Sequence, residues 1–219
     1  MKMNEINIII PALEKNKYSE YGDLVSFGET TLLEWKISQA KKVDGIKNIY
    51  VTSSSNLIKN LCKKNNVKFL RREPKISLDK LHRLLGKKFK NEYLLWTNPT
   101  APFFAGKDIY DFIIKFKKNS KKNDSAVTCL KEQEYFYYKN KSLNFDSSKK
   151  TVSRNKIKSL VKITSGGYLI KGSLAYQNGI LLGKKPYFYY TNWLQSLELK
   201  TTKQIHLFNG LLENYLKQQ

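Results

Sequence analysis

The stretch Ile6-Asn7-Ile8-Ile9-Ile10-Pro11-Ala12 decides the fold of this chain. A short β-branched run closed by proline fits a strand buried on both faces, as in the interior of a parallel sheet. A polar loop follows from Leu13 to about Glu29. Between Thr31 and Lys41, Leu32, Leu33, Trp35, Ile37 and Ala40 then fall on one helical stripe, and Ile49-Tyr50-Val51-Thr52 reads as a second strand. The chain therefore opens as a β-α-β unit.

The alternation continues. Ser54 is placed to cap a helix running through Lys64 with Leu57, Ile58 and Leu61 inward, and Val67 to Leu70 is a third strand. A helix from Leu78 to Phe89 leads to the apolar strand Tyr93 to Thr97, which Asn98-Pro99-Thr100-Ala101-Pro102 ends abruptly. Lys107 to Lys118 is amphipathic through Ile109, Phe112, Ile113 and Phe116, and Ser125 to Leu130 is a further strand. Glu132 to Lys162, polar apart from Tyr135-Phe136-Tyr137-Tyr138, shows no period and is expected to be an extended excursion from the domain. Gly166 to Ile170 resumes the sheet, Pro186 to Tyr190 adds an edge strand, and Thr202 to Leu216 is a closing helix. No repeat or linker divides the chain, so the expectation is one α/β domain over residues 1–219. Open α/β sheets bind ligands at the carboxyl ends of their strands, which points to the loops after Ile10 and Thr97.

Composition bounds the function. The 219 residues carry 40 Lys and Arg against 18 Asp and Glu, a net charge of +22, which would draw nucleic acid or another polyanion. The lysines are spread in pairs such as Lys41-Lys42, Lys63-Lys64, Lys117-Lys118 and Lys149-Lys150, the pattern of a solvated surface, and nucleic acid is not the expected partner. Abundant Lys and Asn with few Arg also fit a drift toward AT-rich codons, while the positive field would still concentrate an anionic substrate. Cys62 and Cys129 lie apart with no metal-ligand spacing, as reduced core residues do. The polar start, Met1 to Asn7, and the lack of an apolar run of the roughly 18 to 20 residues a bilayer requires lead to the expectation of a cytoplasmic protein without a membrane partner.

Ile9-Ile10-Pro11-Ala12 and its sequel resemble the opening of the CMP-N-acetylneuraminate synthetase family of cytidylyltransferases, whose pattern runs IIPARGGSK and then KN before a hydrophobic helix. Three further segments follow in order. Ile49 to Ser53 resembles VVVST, Phe69-Leu70-Arg71-Arg72 resembles FLRP, and Leu94 to Pro102 resembles LLQPTSPLR. Near the end, Ser165 to Ile170 resembles NGAIYI and Ser196 to Lys200 resembles SVDID, so the likeness spans nearly the whole chain.

That resemblance implies a Rossmann-like nucleotidyltransferase fold, a mostly parallel sheet flanked by helices, with a dimerisation excursion over residues 132–162 and a homodimer. It implies CTP as one substrate and an acidic or hydroxylated small molecule as acceptor, with transfer of CMP feeding surface polysaccharide synthesis. Charge on the phosphates must be neutralised by cations, metal and backbone N–H groups, because pyrophosphate leaves in an in-line displacement. By position, Lys17 is the implied catalytic cation; Pro11, Ala12, Leu13, Lys15, Asp23, Ser53, Arg71, Asn98, Pro99 and Thr100 are implied nucleotide contacts. Arg72, Ser165 and Gly166 are implied to meet the acceptor, and Glu198 to hold Mg²⁺.

The chain also departs from the pattern. Leu13 stands where the family has Arg, Glu14-Lys15-Asn16 replaces Gly-Gly-Ser, and Gly22-Asp23 replaces Lys-Asn. Lys200 stands in place of the second Asp near the C-terminus, and an ammonium cannot ligate a divalent cation. Plain structural readings exist beside each functional one: Pro11 and Pro99 end strands, Lys17 is solvated, and Arg71 and Arg72 pair with Glu73. His82 and His206 have no ligand-spaced partners and read as core-edge or surface residues. Two functions follow: a cytidylyltransferase of unusual specificity, or a catalytically degenerate relative acting as a binding or regulatory module.

Overall fold

The computed structural model describes residues 1–17, 19–148, 153–201 and 203–216. At its centre lies β1, Ile6–Pro11. Ile6, Ile8, Ile9 and Ile10 are wholly buried, each worth roughly 1.5–3 kcal/mol of apolar burial, so this one strand anchors both faces of the sheet. It runs parallel to β4 (Asn48–Ser53) on one side and β6 (Tyr93–Trp96) on the other, with Ile8 opposite both Ile49 and Leu95.

Outward from β4, the parallel β5 (Lys68–Arg71) forms one edge. Beyond β6 comes β10 (Leu160–Lys171), antiparallel to both its neighbours, then β7 (Ser125–Glu132) and, parallel to it at the other edge, β11 (Pro186–Tyr190). The sheet order is β11-β7-β10-β6-β1-β4-β5, and the mostly parallel α/β architecture expected from the sequence is present.

Side-chain alternation along β1 assigns the helices to layers. Ile6, Ile8 and Ile10 pack with α1 (Leu32–Lys41) and α4 (Gly106–Asn119), while Ile9 faces α3 (Leu78–Lys88) through Leu81 and Leu85. The α2 helix (Asn56–Lys64) contributes Ile58 and Cys62 to the first layer. A third cluster gathers Phe27, Trp35 and Phe103 beneath Phe208 and Leu212 of α6 (Lys203–Leu216). Its floor is a small hairpin, β2 (Ser26–Phe27) with β3 (Thr30–Thr31). Both cysteines are buried and unpaired, and no helix among the described residues is long and apolar enough to cross a membrane.

Three local readings need correction. The cap of α2 is Ser55, whose hydroxyl accepts the Ile58 N–H at 3.2 Å, and not Ser54. Residues 132–162 are not wholly an excursion: Leu160 to Ile163 already pair with β7, leaving an arm that carries the hairpin β8 (Tyr137–Tyr138) and β9 (Lys141–Ser142). A short helix, α5 (Gly172–Asn178), follows β10 in a stretch to which the sequence pattern assigns no element. Residues 149–152 of the arm and Thr202, the expected start of the last helix, lie outside the described residues.

The register of β10 breaks between Ile163 and Tyr168. Three threonines hold the irregular segment: Thr97 Oγ1 donates to the Gly166 carbonyl at 2.7 Å, Thr164 Oγ1 donates to Thr128 Oγ1 at 2.9 Å, and Thr128 Oγ1 accepts the Gly167 N–H at 2.9 Å. A Cβ on Gly166 would come within 2.9 Å of the Phe104 ring, so the glycine there answers to packing.

Candidate nucleotide and acceptor cleft

At the carboxyl ends of β1 and β6 the chain leaves a cleft of about 230 Å³. Pro11, Leu13, Asp23 and Arg72 line one side of it; Asn98, Pro99, Thr100 and Glu198 line the other. These eight come from five separate stretches of sequence, and each was singled out by pattern. Ser53 does not reach this cleft; it is buried, and its Oγ accepts the Ser55 N–H at 3.2 Å, supporting the α2 cap. Ala12 is also buried. Ser165 and Gly166 contribute carbonyls, which accept from Asn98 Nδ2 at 3.3 Å and from Thr97. Lys15 and Lys17 are exposed on the loop after β1.

That loop is closed on itself. The Leu13 N–H donates to Asp23 Oδ2 at 2.7 Å while the Asp23 N–H returns to the Leu13 carbonyl at 2.8 Å. Gly22 makes the turn possible: its φ is +52°, and a Cβ there would sit 2.2 Å from the Leu13 oxygen. Glu14 turns away, accepting the Ser55 hydroxyl at 2.5 Å. A backbone N–H that could meet a phosphate is thus given to an internal carboxylate. Burial pushes the Asp23 carboxyl up to about 6, against the opposing pull of the Leu13 hydrogen bond and the Arg72 charge.

Arg72 donates to the Ala12 carbonyl at 3.1 Å and is shared between the cleft and a second cavity of about 520 Å³. Arg71 stands at this second cavity, its guanidinium donating to the Ser54 carbonyl at 2.7 Å and to Asn56. The wall also holds Thr52, whose hydroxyl is the one buried side-chain polar atom without a hydrogen-bond partner among the described residues.

A third cavity, about 410 Å³, opens from the other end of the cleft and shares Leu78, Trp96 and Asn98 with it. His82 lies in its wall, its Nδ1 3.2 Å from the Gly179 carbonyl and its ring edge-on to Trp96 with centroids 5.2 Å apart. Sequence reasoning missed this role because the partner is a backbone carbonyl far along the chain. The available signal was the apolar strand Tyr93 to Thr97 ending in a site loop, with Trp96 on the face opposite the main core.

The turn from Asn98 to Ala105 is pinned from beneath by α1. Lys36, wholly buried, donates to the Ala101 and Phe104 carbonyls at 2.7 and 2.8 Å, and the Trp35 indole donates to the Pro102 carbonyl at 2.9 Å. Burial holds the Lys36 amine down at about 7, with Asp108 opposing.

Glu198 meets Lys200 at 3.3 Å, the lysine that stands where the resembled pattern has a second carboxylate. No three His, Cys, Asp or Glu side chains converge as a metal site among the described residues. Glu198 lines the cleft together with Thr100 and is the residue there that could offer a carboxylate oxygen to a divalent cation.

A family model described as cytidylyltransferase matches residues 23–205. No curated protein matches the chain. Among solved structures, CMP:2-keto-3-deoxy-manno-octonic acid synthetase complexed with CTP superposes with a TM-score of 0.70 at 11% identity, covering 96% of this chain and 99% of its own. The 4-diphosphocytidyl-2C-methyl-D-erythritol synthase of Anaerococcus prevotii gives 0.69 at 15% identity, with 95% and 98% covered. A cytidylyltransferase from Leptospira borgpetersenii gives 0.54 at 15%, with 79% and 63% covered.

Proposed function

The chain belongs to the cytidylyltransferase family, and from that premise we propose that it transfers CMP from CTP to a hydroxyl of a small molecule, releasing pyrophosphate. One observation carries the reading: the three connected cavities form a trough at the strand ends with a base-sized recess, a narrow neck holding Arg72 between Asp23 and Glu198, and an acceptor-sized recess in that order. The cytosine enters the cavity of Arg71, and the phosphates cross the neck beside Arg72. The acceptor oxygen attacks the α-phosphorus in line, its bond to phosphorus forms as the α-phosphorus to bridging oxygen bond breaks, and the hydroxyl proton leaves to solvent.

Positioning and charge supply the rate in such a reaction. Arg72 is the fixed cation of the neck, and Lys15 and Lys17 on the loop after β1 fold over the β- and γ-phosphates. Asn98, Pro99 and Thr100 hold the turn against the ribose side, with the Ser165 and Gly166 carbonyls fixing its far edge through Asn98 and Thr97. Glu198 would supply a carboxylate oxygen to Mg²⁺, and that cation would neutralise charge on the triphosphate. The arm from residue 133 to 159 carries exposed Tyr135, Tyr137 and Tyr138 as the contact of a homodimer, and the product serves surface polysaccharide synthesis in the cytoplasm.

A second reading rests on a specific pair of contacts. The Leu13 N–H is already satisfied by Asp23, and Glu198 is already neutralised by Lys200, the arrangement of a fold kept as a binding module after its chemistry lapsed. Calorimetric titration with CTP, GTP, UTP and ATP, with and without Mg²⁺, separates the two. CTP-selective, Mg²⁺-dependent binding is the result expected of the transferase; no nucleotide binding at either of two salt concentrations refutes it.

A further inference from the structure

We propose that the recess beyond Trp96 selects an uncharged, hydroxylated acceptor and rejects acids and phosphorylated molecules of the same shape. This deepens the transferase reading and rests on it for the word acceptor. Its binding specificity can be tested without nucleotide.

The walls carry the argument. Beyond the three residues shared with the cleft, the recess is formed by His82, Tyr168 and the run Ile180-Leu181-Leu182, with no Lys, Arg, Asp or Glu among the lining residues. Its volume of about 410 Å³ falls in the roughly 300–1,000 Å³ range of small-ligand sites. A carboxylate or phosphate entering it would lose water without meeting a cation, and that penalty far exceeds the cost of burying a hydroxyl that finds a partner.

The polar groups that do face the recess suit hydroxyls. The Gly179 carbonyl can only accept, so the His82 Nδ1 beside it carries the proton and Nε2 is left as an acceptor. Burial lowers the imidazole's affinity for a second proton, keeping the ring neutral. The Tyr168 hydroxyl has no protein hydrogen bond among the described residues and can donate or accept. Trp96 has spent its indole N–H on Asn98 Oδ1 at 3.0 Å, so toward the recess it presents an apolar face against which a ring can stack.

The net +22 of the chain draws anions to the surface at large, so any preference for neutral ligands here must come from these local walls.

The test uses matched pairs on the full chain: N-acetylneuraminate against its methyl ester, and N-acetylmannosamine against its 6-phosphate. Saturation-transfer NMR without nucleotide reads binding, and the same pairs are repeated with CTP and Mg²⁺ to read pyrophosphate release. The neutral member of each pair should bind at least about tenfold tighter, a difference of about 1.4 kcal/mol. Ile180→Arg, at a half-exposed position that tolerates change, should shift the preference toward the charged member, and Tyr168→Phe should weaken the neutral one several-fold. Equal or tighter binding of the charged members, no saturation transfer from either neutral probe, or an unmoved preference in Ile180→Arg overturns the proposal. Failure of CTP to bind while the neutral probes bind refutes the transferase and leaves the recess standing.

Discussion

Lys36→Met tests the buried amine that supports the site turn. The substitution nearly keeps the side-chain length and removes two hydrogen bonds, leaving the Phe104 carbonyl without a donor and the Ala101 carbonyl with only the Phe104 N–H at 3.4 Å. The orphaned carbonyl costs about 1–3 kcal/mol and the weakened one adds to it, while relief of the amine's own desolvation offsets part, so a net loss of about 1–3 kcal/mol is expected at pH 7. The pH dependence identifies the cause. In the folded chain burial holds the Lys36 amine at about 7 against an ordinary 10.5, so between those values the unfolded chain binds a proton that the folded chain does not. Stability from this residue therefore rises with pH across the window and is flat below it, at up to about 1.4 kcal/mol per pH unit. Urea unfolding of wild type and Lys36→Met at pH 7 and 9 should show the gap between them widening by roughly 2–3 kcal/mol. A gap that stays constant with pH, or a mutant more stable than wild type at pH 7, refutes a neutral lysine held by two carbonyls.

Asp23→Asn removes a negative charge from the neck while keeping an acceptor for the Leu13 N–H, and should raise CTP affinity about tenfold by calorimetry at pH 7.5, given unit charges several ångströms apart in partly screened surroundings. Because burial raises the Asp23 carboxyl to about 6 from 3.8, wild-type stability should fall as pH rises through that interval and level off above it, and Asp23→Asn should lack this slope in urea titrations. Gly22→Ala, strained at positive φ and 2.2 Å from the Leu13 oxygen, should unseat the loop, lowering the melting temperature and abolishing CTP binding together. Ser55→Ala removes the α2 cap and the partner of Glu14, and should cost about 1 kcal/mol in urea unfolding with little effect on nucleotide affinity.

Much of this was readable from residue pattern, and the failures have physical causes. The buried strands β1, β4 and β6 announce themselves as apolar runs because both their faces are covered. The start of β10 does not: Val161, Lys162 and Ile163 are exposed where the strand pairs with β7 but not with β6, so no burial pattern marks them. The α5 helix has seven residues, only Gly172 and Ala175 of them buried, too few for a helical stripe to show. Three consecutive serines, Ser53 to Ser55, leave the cap undetermined by one position until the Ile58 N–H is seen. Lys36 lies on the same helical face as Leu33 and Ala40, yet a lysine in a stripe reads as a snorkelling side chain, and its partners are carbonyls of a turn some 65 residues away. Most residues that line the cleft follow strand ends in order, which pattern can gather; the walls of the recess beyond Trp96 are ordinary apolar residues brought together by tertiary packing, which pattern cannot.

The reversed strand β10 has a consequence for how the chain is assembled. Strands β1, β4, β5 and β6 can pair as soon as residue 96 is made, but β6 then offers its far edge to solvent, and β7, complete by residue 132, has no neighbour until β10 arrives some 30 residues later. During synthesis the nascent protein thus carries two open apolar edges that only one later segment can bridge, and such edges are where chains pair wrongly with one another. A ribosome pausing in the arm would prolong that interval, and the solubility of the newborn chain depends on how quickly residues 160–171 emerge to close the sheet.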